Sequence, residues 1–272
     1  MSLKEGVWGP VTATLDWCEE NYQFSDYIAE CANTFSNIIT IWFAVYGARA
    51  AAIQGLPALY ITSLAGLGLV GIGSFAFHAT LLYEAQMADE LPMIYCASWA
   101  LFVMLDTVPG PSNASRRWSL LAGTVLFDVF FTISYYFYRN PAYHQIVFAC
   151  LLLSTAMRTV YITRFSSAAR HIPDAKKKEA NRLYTIGAGL FAFGFLIWNL
   201  DNAFCNVLTG WKRSIGWPAG FLLEGHSWWH VFTVRADYCP SLLVKDRPDA
   251  YEIAYHSGLP VVRRTETKAK PN

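Results

Sequence analysis

The sequence predicts an all-α, polytopic membrane protein built as a bundle of seven transmembrane helices. Three observations predict it. Hydrophobic residues make up 54% of the 272 positions and charged residues only 15%, where soluble chains carry about 25% charged. Mean hydropathy is positive, at +0.26. The apolar residues gather in runs close to the roughly 20 residues that span a bilayer core of about 30 Å. An aromatic content of 16% excludes a disordered or collagen-like chain. A net charge of +1 gives no electrostatic basis for a nucleic-acid partner. Six cysteines are too few for a disulfide framework, and no CxxC zinc pair occurs. The first residues lack the layout of a cleaved signal peptide, so the chain is expected to be an integral membrane protein held by helices that stay.

The seven predicted spans are 34–52, 58–82, 90–105, 120–138, 143–162, 183–207 and 218–236. The third has a short apolar core, and its start is not fixed by hydropathy. Breakers mark the connections: Gly55 and Pro57, then Pro109, Gly110 and Pro111, then Asn140-Pro141, then Gly216 and Pro218. Helices are the economical reading because lipid satisfies no backbone polar group. Orientation follows from lysines and arginines near the span ends. With a lumenal N-terminus, the cytosolic side holds Arg49, Arg116, Arg117 and the basic connection carrying Arg164, Arg170, Lys176, Lys177, Lys178 and Arg182. The lumenal side holds only Lys4, Arg139, Lys212 and Arg213. The expected organisation is an acidic lumenal segment over 1–33, a helical domain over 34–236 and a cytosolic tail over 237–272. The tail ends Lys268-Ala269-Lys270-Pro271-Asn272. Its Lys-x-Lys-x-x form matches a dilysine retrieval signal, which predicts retrieval-coat binding through Lys268 and Lys270. The expected residence is the endoplasmic reticulum membrane, with the Golgi membrane as the alternative.

Ionisable residues at membrane depth are costly, so each is a functional candidate. Three of the six histidines lie deep in apolar segments: His78, His226 and His230. His226 and His230 are spaced i, i+4, which places both rings on one helix face and suits two ligands of one metal. The third ligand must come from another span, and His78 is the other deeply placed histidine. Three histidines leave a position open for water, the layout of a catalytic zinc site. The alternative is that these residues are hydrogen-bonded packing histidines. The predicted orientation puts all three in the lumenal half. Ser74 precedes His78 by four residues and shares its face. Asp89 stands at the start of the third span. A carboxylate there can move a proton between water and a leaving group, and Ser74 can hydrogen-bond a developing oxyanion. Alternatively, Ser74 bonds back to its own helix and Asp89 caps the next one. Glu90 competes with Asp89 for the same role. Asp128, Arg158, Asn199, Asp201 and Asn202 need partners within the bundle.

Before the first span, Glu5, Asp16, Glu19, Glu20, Asp26 and Glu30 stand against Lys4 alone. The run Asp16-Trp17-Cys18-Glu19-Glu20-Asn21 offers the carboxylate, amide and carbonyl oxygens that calcium takes. Its spacing is not that of an EF-hand loop, and a solvated acidic face is the alternative.

These residues together resemble the alkaline ceramidases. The resemblance is carried by Trp8-Gly9-Pro10, Thr14-Leu15-Asp16-Trp17-Cys18-Glu19-Glu20-Asn21-Tyr22, Tyr27-Ile28-Ala29-Glu30 and Asn33-Thr34-Phe35-Ser36-Asn37. It continues through Gly73-Ser74, Phe77-His78-Ala79-Thr80-Leu81, Asp89-Glu90-Leu91-Pro92-Met93-Ile94-Tyr95, Trp198-Asn199-Leu200-Asp201-Asn202 and His226-Ser227-Trp228-Trp229-His230. It implies an intramembrane amidase that cleaves ceramide, a membrane lipid, to a sphingoid base and a fatty acid. It places the catalytic zinc on His78, His226 and His230, and the active-site serine and aspartate on Ser74 and Asp89. It also implies a structural or activating calcium ion on Asp16, Trp17 (through its carbonyl), Glu19, Asn21 and Glu30, and a disulfide between Cys18 and Cys205. Ala32 stands where relatives carry an aromatic residue.

Three other readings compete. A seven-helix zinc-containing receptor of the progestin and adipoQ type shares the layout but not the Asp16–Asn21 motif. A transporter would use the intramembrane charges, although no inverted repeat or pair of broken helices is visible. A hydrolase of another lipid amide would differ only in substrate.

Overall fold

α3 (Tyr83–Leu105) forms the inner post of the structure, a computed structural model that describes residues 5–53, 55, 58–106, 114–166, 174–237, 251–256 and 259–264. The other long helices are α1 (Cys31–Ile53), α2 (Ala58–Thr80), α4 (Ala114–Tyr138), α5 (Pro141–Arg164) and α6 (Asp174–Ala203). Two shorter helices follow, α7 (Cys205–Ile215) and α8 (Gly225–Asp237), with a 3₁₀ turn at Ala219–Leu223 between them. α3 packs against α2, α4 and α5, while α8 packs against α1 and α6. An unanticipated two-stranded antiparallel ribbon, β1 (Tyr251–His256) with β2 (Leu259–Arg264), lies in the C-terminal segment beyond the otherwise all-helical bundle. Lys268 and Lys270 lie outside the described residues.

Helices α1 to α6 are long and apolar enough to cross a membrane, which makes the chain a multi-pass membrane protein. Seven spans were expected. Over the described residues α8 has 13 residues, or about 20 Å at 1.5 Å per residue, short of a bilayer core. The predicted 218–236 span begins instead with the 3₁₀ turn. The predicted 183–207 span ends early: α6 stops at Ala203, and α7 starts after a break at Phe204. The third span also differs, because its helix begins at Tyr83 rather than near residue 90. Asp89 therefore sits in its second turn and is not a cap. Pro92 lies inside α3 and leaves the Ala88 carbonyl without its i+4 donor.

Local chemistry explains several boundaries. Asn140 caps α5, its Oδ1 accepting from the Ala142 N–H at 2.9 Å, and Pro141 takes the first helical position. Gly216 ends α7 with φ +75°. Outward faces carry large apolar side chains such as Phe130, Phe137, Leu153 and Phe193, as a lipid environment requires. Inside, Tyr83, Met87 and Ile94 of α3 pack on Phe131 and Tyr135 of α4. Dispersion contacts rather than water exclusion hold such a layer in lipid.

Residues 5–30 fold over the α2–α3 turn. The Thr12 and Ala13 N–H groups donate to the Leu81 carbonyl, and Ala29 and Glu30 N–H to those of Ala79 and His78. A second anchor is the Cys18–Cys205 disulfide, with Cα atoms 5.3 Å apart, which ties this segment to α7. Lys212 reinforces it, donating to the Cys18 carbonyl at 3.0 Å and to Glu224 at 2.8 Å. Outside, Arg213 pairs with Glu20 and holds its carboxyl below its usual pKa.

Candidate functional site

The i, i+4 pair His226 and His230 sits on one buried face of α8, opposite His78 near the end of α2. Ring centroids are 5.0 Å apart for His78–His226 and for His78–His230, and 4.7 Å for His226–His230. One nitrogen from each ring lies within 4.8 Å of the others. Among the described residues no other group of three or more His, Cys, Asp or Glu converges in this way. His78 Nε2 and His226 Nδ1 are buried without a hydrogen-bond partner. Buried ring nitrogens without partners, in three converging imidazoles, fit a metal, since a buried polar atom without a partner is costly. The donor set of three imidazoles fits zinc.

The ring orientations are set from outside the cluster. His78 Nδ1 makes a short hydrogen bond to Glu30 Oε2, which leaves Nε2 toward the centre. Such carboxylate–histidine pairs orient metal ligands. His230 Nδ1 lies 2.7 Å from Ser36 Oγ. The His226 ring stacks on Trp17 at 3.9 Å between centroids. Asp201 of α6 fixes the start of α8, accepting from the Gly225 N–H at 3.1 Å. A Cβ at Gly225 would collide with it.

Ser74 and Asp89 flank the histidines. Ser74 Oγ accepts from Asn37 Nδ2 at 3.0 Å and lies 3.5 Å from His230 Nε2. Asp89 of α3 is its neighbour across the close α2–α3 contact. The pairing depends on Gly73, where any Cβ would strike the Ala88 carbonyl of α3. The competitor Glu90 turns the other way. Its Oε2 accepts from Gln86 at 2.9 Å and Tyr135 at 2.6 Å, and its backbone carbonyl meets His144 Nε2 at 3.0 Å. Glu90 thus joins α3 to α4 and α5 and stands apart from the histidines.

The acidic segment is more dispersed. Both Glu19 oxygens accept backbone N–H groups at the start of α1, from Ala32 at 2.6 Å and Asn33 at 2.9 Å. Exposed Asp16 accepts from Asn21 at 3.2 Å. Glu30 gives Oε2 to His78 and Asn33, while its Oε1 and Asn21 Oδ1 are buried without partners. Burial pushes the Glu19 carboxyl up to about 7 and that of Glu30 up to about 8, the second raised further by Asp16. Donor-less oxygens and raised carboxyls fit a bound cation, which would supply the missing positive charge.

Sequence reasoning did not assign roles to Asn33, Ser36 and Asn37. Their i, i+3, i+4 spacing in an otherwise apolar helix was the available signal. The partners left open are also visible: Asp128 accepts from Ser98 at 3.0 Å, and Arg158 donates to the Met104 carbonyl at 3.1 Å.

Comparison with known proteins follows this geometry. A family model described as Ceramidase matches residues 9–247. Alkaline ceramidase 3 of Mus musculus is 34% identical over 235 residues, covering 86% of this chain and 84% of its own. An alkaline ceramidase of Saccharomyces cerevisiae is 36% identical over 244 residues, covering 86% and 76%. That of Arabidopsis thaliana is 30% identical over 234 residues, covering 85% and 82%. A match of this extent, over a chain with this helical layout, assigns the protein to the ceramidase family.

Proposed function

We propose that this protein hydrolyses the amide bond of ceramides inside the membrane, releasing a sphingoid base and a free fatty acid. The observation that carries the reading is the convergence of His78, His226 and His230 beside the Ser74–Asp89 pair, in a chain of the ceramidase family. The family match disfavours the receptor alternative.

His78, His226 and His230 would hold a zinc ion. When bound, zinc supplies a Lewis acid and makes water nucleophilic near neutral pH. Asp89 takes the proton of the attacking water and delivers it to the departing amine nitrogen as the C–N bond breaks. A neutral Asp89 is a weaker acceptor for Ser74 than the carboxylate, so the Ser74 hydroxyl can turn to the carbonyl oxygen as negative charge develops there. Glu30 and Ser36 keep two of the rings oriented, and Trp17 covers His226. Trp17, Asp16, Glu19, Asn21 and Glu30 would hold calcium as a structural or activating ion, adjoining the histidines through Glu30. α8 would complete a seven-helix domain over 34–236 with a lumenal N-terminus, a cytosolic tail over 237–272 and residence in the endoplasmic reticulum or Golgi membrane. A ceramide lying in the leaflet keeps its two chains in lipid while its amide reaches such a site, and phytoceramide and dihydroceramide belong to the same substrate class.

Mass spectrometry of products from purified, zinc- and calcium-supplied protein and natural ceramides tests the reading. Fatty acid and sphingoid base should appear, and should vanish with a strong zinc chelator. No release from folded, metal-loaded protein would refute it.

A further inference from the structure

We propose that Ser36 and Asn37 of α1 are positioning residues for the site: Ser36 fixes the ring form in which His230 presents Nε2, and Asn37 fixes the direction in which Ser74 donates. The inference rests on the function proposed above and deepens it.

The number of hydrogens each group carries orders these contacts. Ser36 Oγ lies 2.9 Å from the Asn33 carbonyl oxygen and 2.7 Å from His230 Nδ1. A hydroxyl carries one hydrogen and a carbonyl can only accept. The Ser36 hydrogen therefore goes to Asn33, and Ser36 must accept from His230. His230 then carries its proton on Nδ1 and presents a lone pair on Nε2, the nitrogen beside Ser74. The Asn37 amide is counted in the same way. Its Nδ2 faces the Asn33 carbonyl at 3.0 Å, which fixes which end of the amide is the donor. Its second hydrogen goes to Ser74 Oγ at 3.0 Å. Both hydrogens are spent, so the 3.3 Å approach of Asn37 Nδ2 to His230 Nδ1 does not compete with Ser36. Ser74, already accepting from Asn37, keeps its own hydrogen to donate, and Asp89 is the carboxylate that neighbours it across the α2–α3 contact.

Two directed chains thus leave the Asn33 carbonyl. One runs through Ser36 to His230, the other through Asn37 to Ser74, beside Asp89. Asn33, Ser36 and Asn37 share one face of α1 because of their spacing, and Asn33 and Asn37 are both buried. Bonds from short polar side chains back to the preceding turn also occur with no role beyond the helix itself. The experiment separates the two cases.

The full-length protein is purified in detergent, and four readouts are taken: zinc affinity by chelator competition, thermal midpoint, kcat and KM. Ser36→Ala should weaken zinc binding by about 10- to 100-fold, and Ser36→Thr, which keeps the hydroxyl, should restore it. Asn37→Ala should keep zinc affinity and KM while lowering kcat about 10-fold. Wild-type zinc affinity in Ser36→Ala, or wild-type kcat in Asn37→Ala, would overturn the inference. So would losses in both variants that follow only the folded fraction. A wild-type protein that binds zinc but cleaves no ceramide removes the functional reading, while the Ser36 result still judges the orientation of His230. A wild-type protein that binds no zinc overturns both.

Discussion

At the residue scale, the site separates two neighbouring carboxylates by direction. Asp89 meets Ser74, whereas Glu90 is held by Gln86 and Tyr135 on the far side of α3. Asp89→Asn should lower kcat by about 100-fold or more with an unchanged thermal midpoint, since a general base contributes roughly that much. Glu90→Gln should do the reverse, lowering the midpoint through the loosened α3–α4–α5 network and leaving kcat per folded molecule nearly intact. Product release by mass spectrometry alongside thermal melts checks both, and near-normal turnover in Asp89→Asn would exclude Asp89 as the base. His230→Ala should abolish turnover in a protein that still folds. Retained activity with no loss of metal would remove the histidines from the reaction. The three histidines were legible in the sequence because i, i+4 spacing and membrane depth are both sequence properties. The division of labour between Asp89 and Glu90 was not, because it depends on the rotation of α3, and that helix begins earlier than hydropathy shows. Ser36 and Asn37 were illegible for another reason: short polar side chains in an apolar helix usually satisfy their own backbone.

At the scale of elements, the α2–α3 contact is set by Gly73 against a carbonyl that Pro92 leaves free. Gly73→Ala forces the helices apart, with an overpacking cost of about 1–3 kcal/mol. Both the thermal midpoint and kcat should fall, because the same displacement separates Ser74 from Asp89. A fall in neither would mean that the helices adapt without moving the pair. Four of the predicted spans matched helices closely, since long apolar runs and the Asn140-Pro141 start signal are local. The end of α6 was read too far because Phe204, Cys205 and Val207 are apolar. In the structure Val207, Trp211 and Ile215 form the exposed side of the separate helix α7, while Lys212 is turned inward to Glu224. A hydropathy window averages over both faces and cannot see that reversal.

At the scale of the whole molecule, residues 5–30 are held on the helices by backbone bonds to the end of α2 and by a disulfide that closes a separation of 187 residues. Reduction, or Cys18→Ser, should lower the thermal midpoint, and under the proposed calcium site calcium chelation should lower it further by leaving the Glu30 carboxylate without a counter-charge and the Asn21 oxygen without a ligand. Melts with and without reductant and chelator check this, and an unchanged midpoint in both would mean that the segment rests on its backbone bonds alone. Two of the three converging histidines belong to α8, the last described helix of the bundle, and the third to α2. A ribosome that has completed α6 has made a chain in which His78 faces Glu30 with neither of its companions yet present. The histidine cluster therefore closes as one of the last events of biosynthesis, after membrane already surrounds the earlier helices, and under the proposed function a chain cut short before α8 would be inserted but inert.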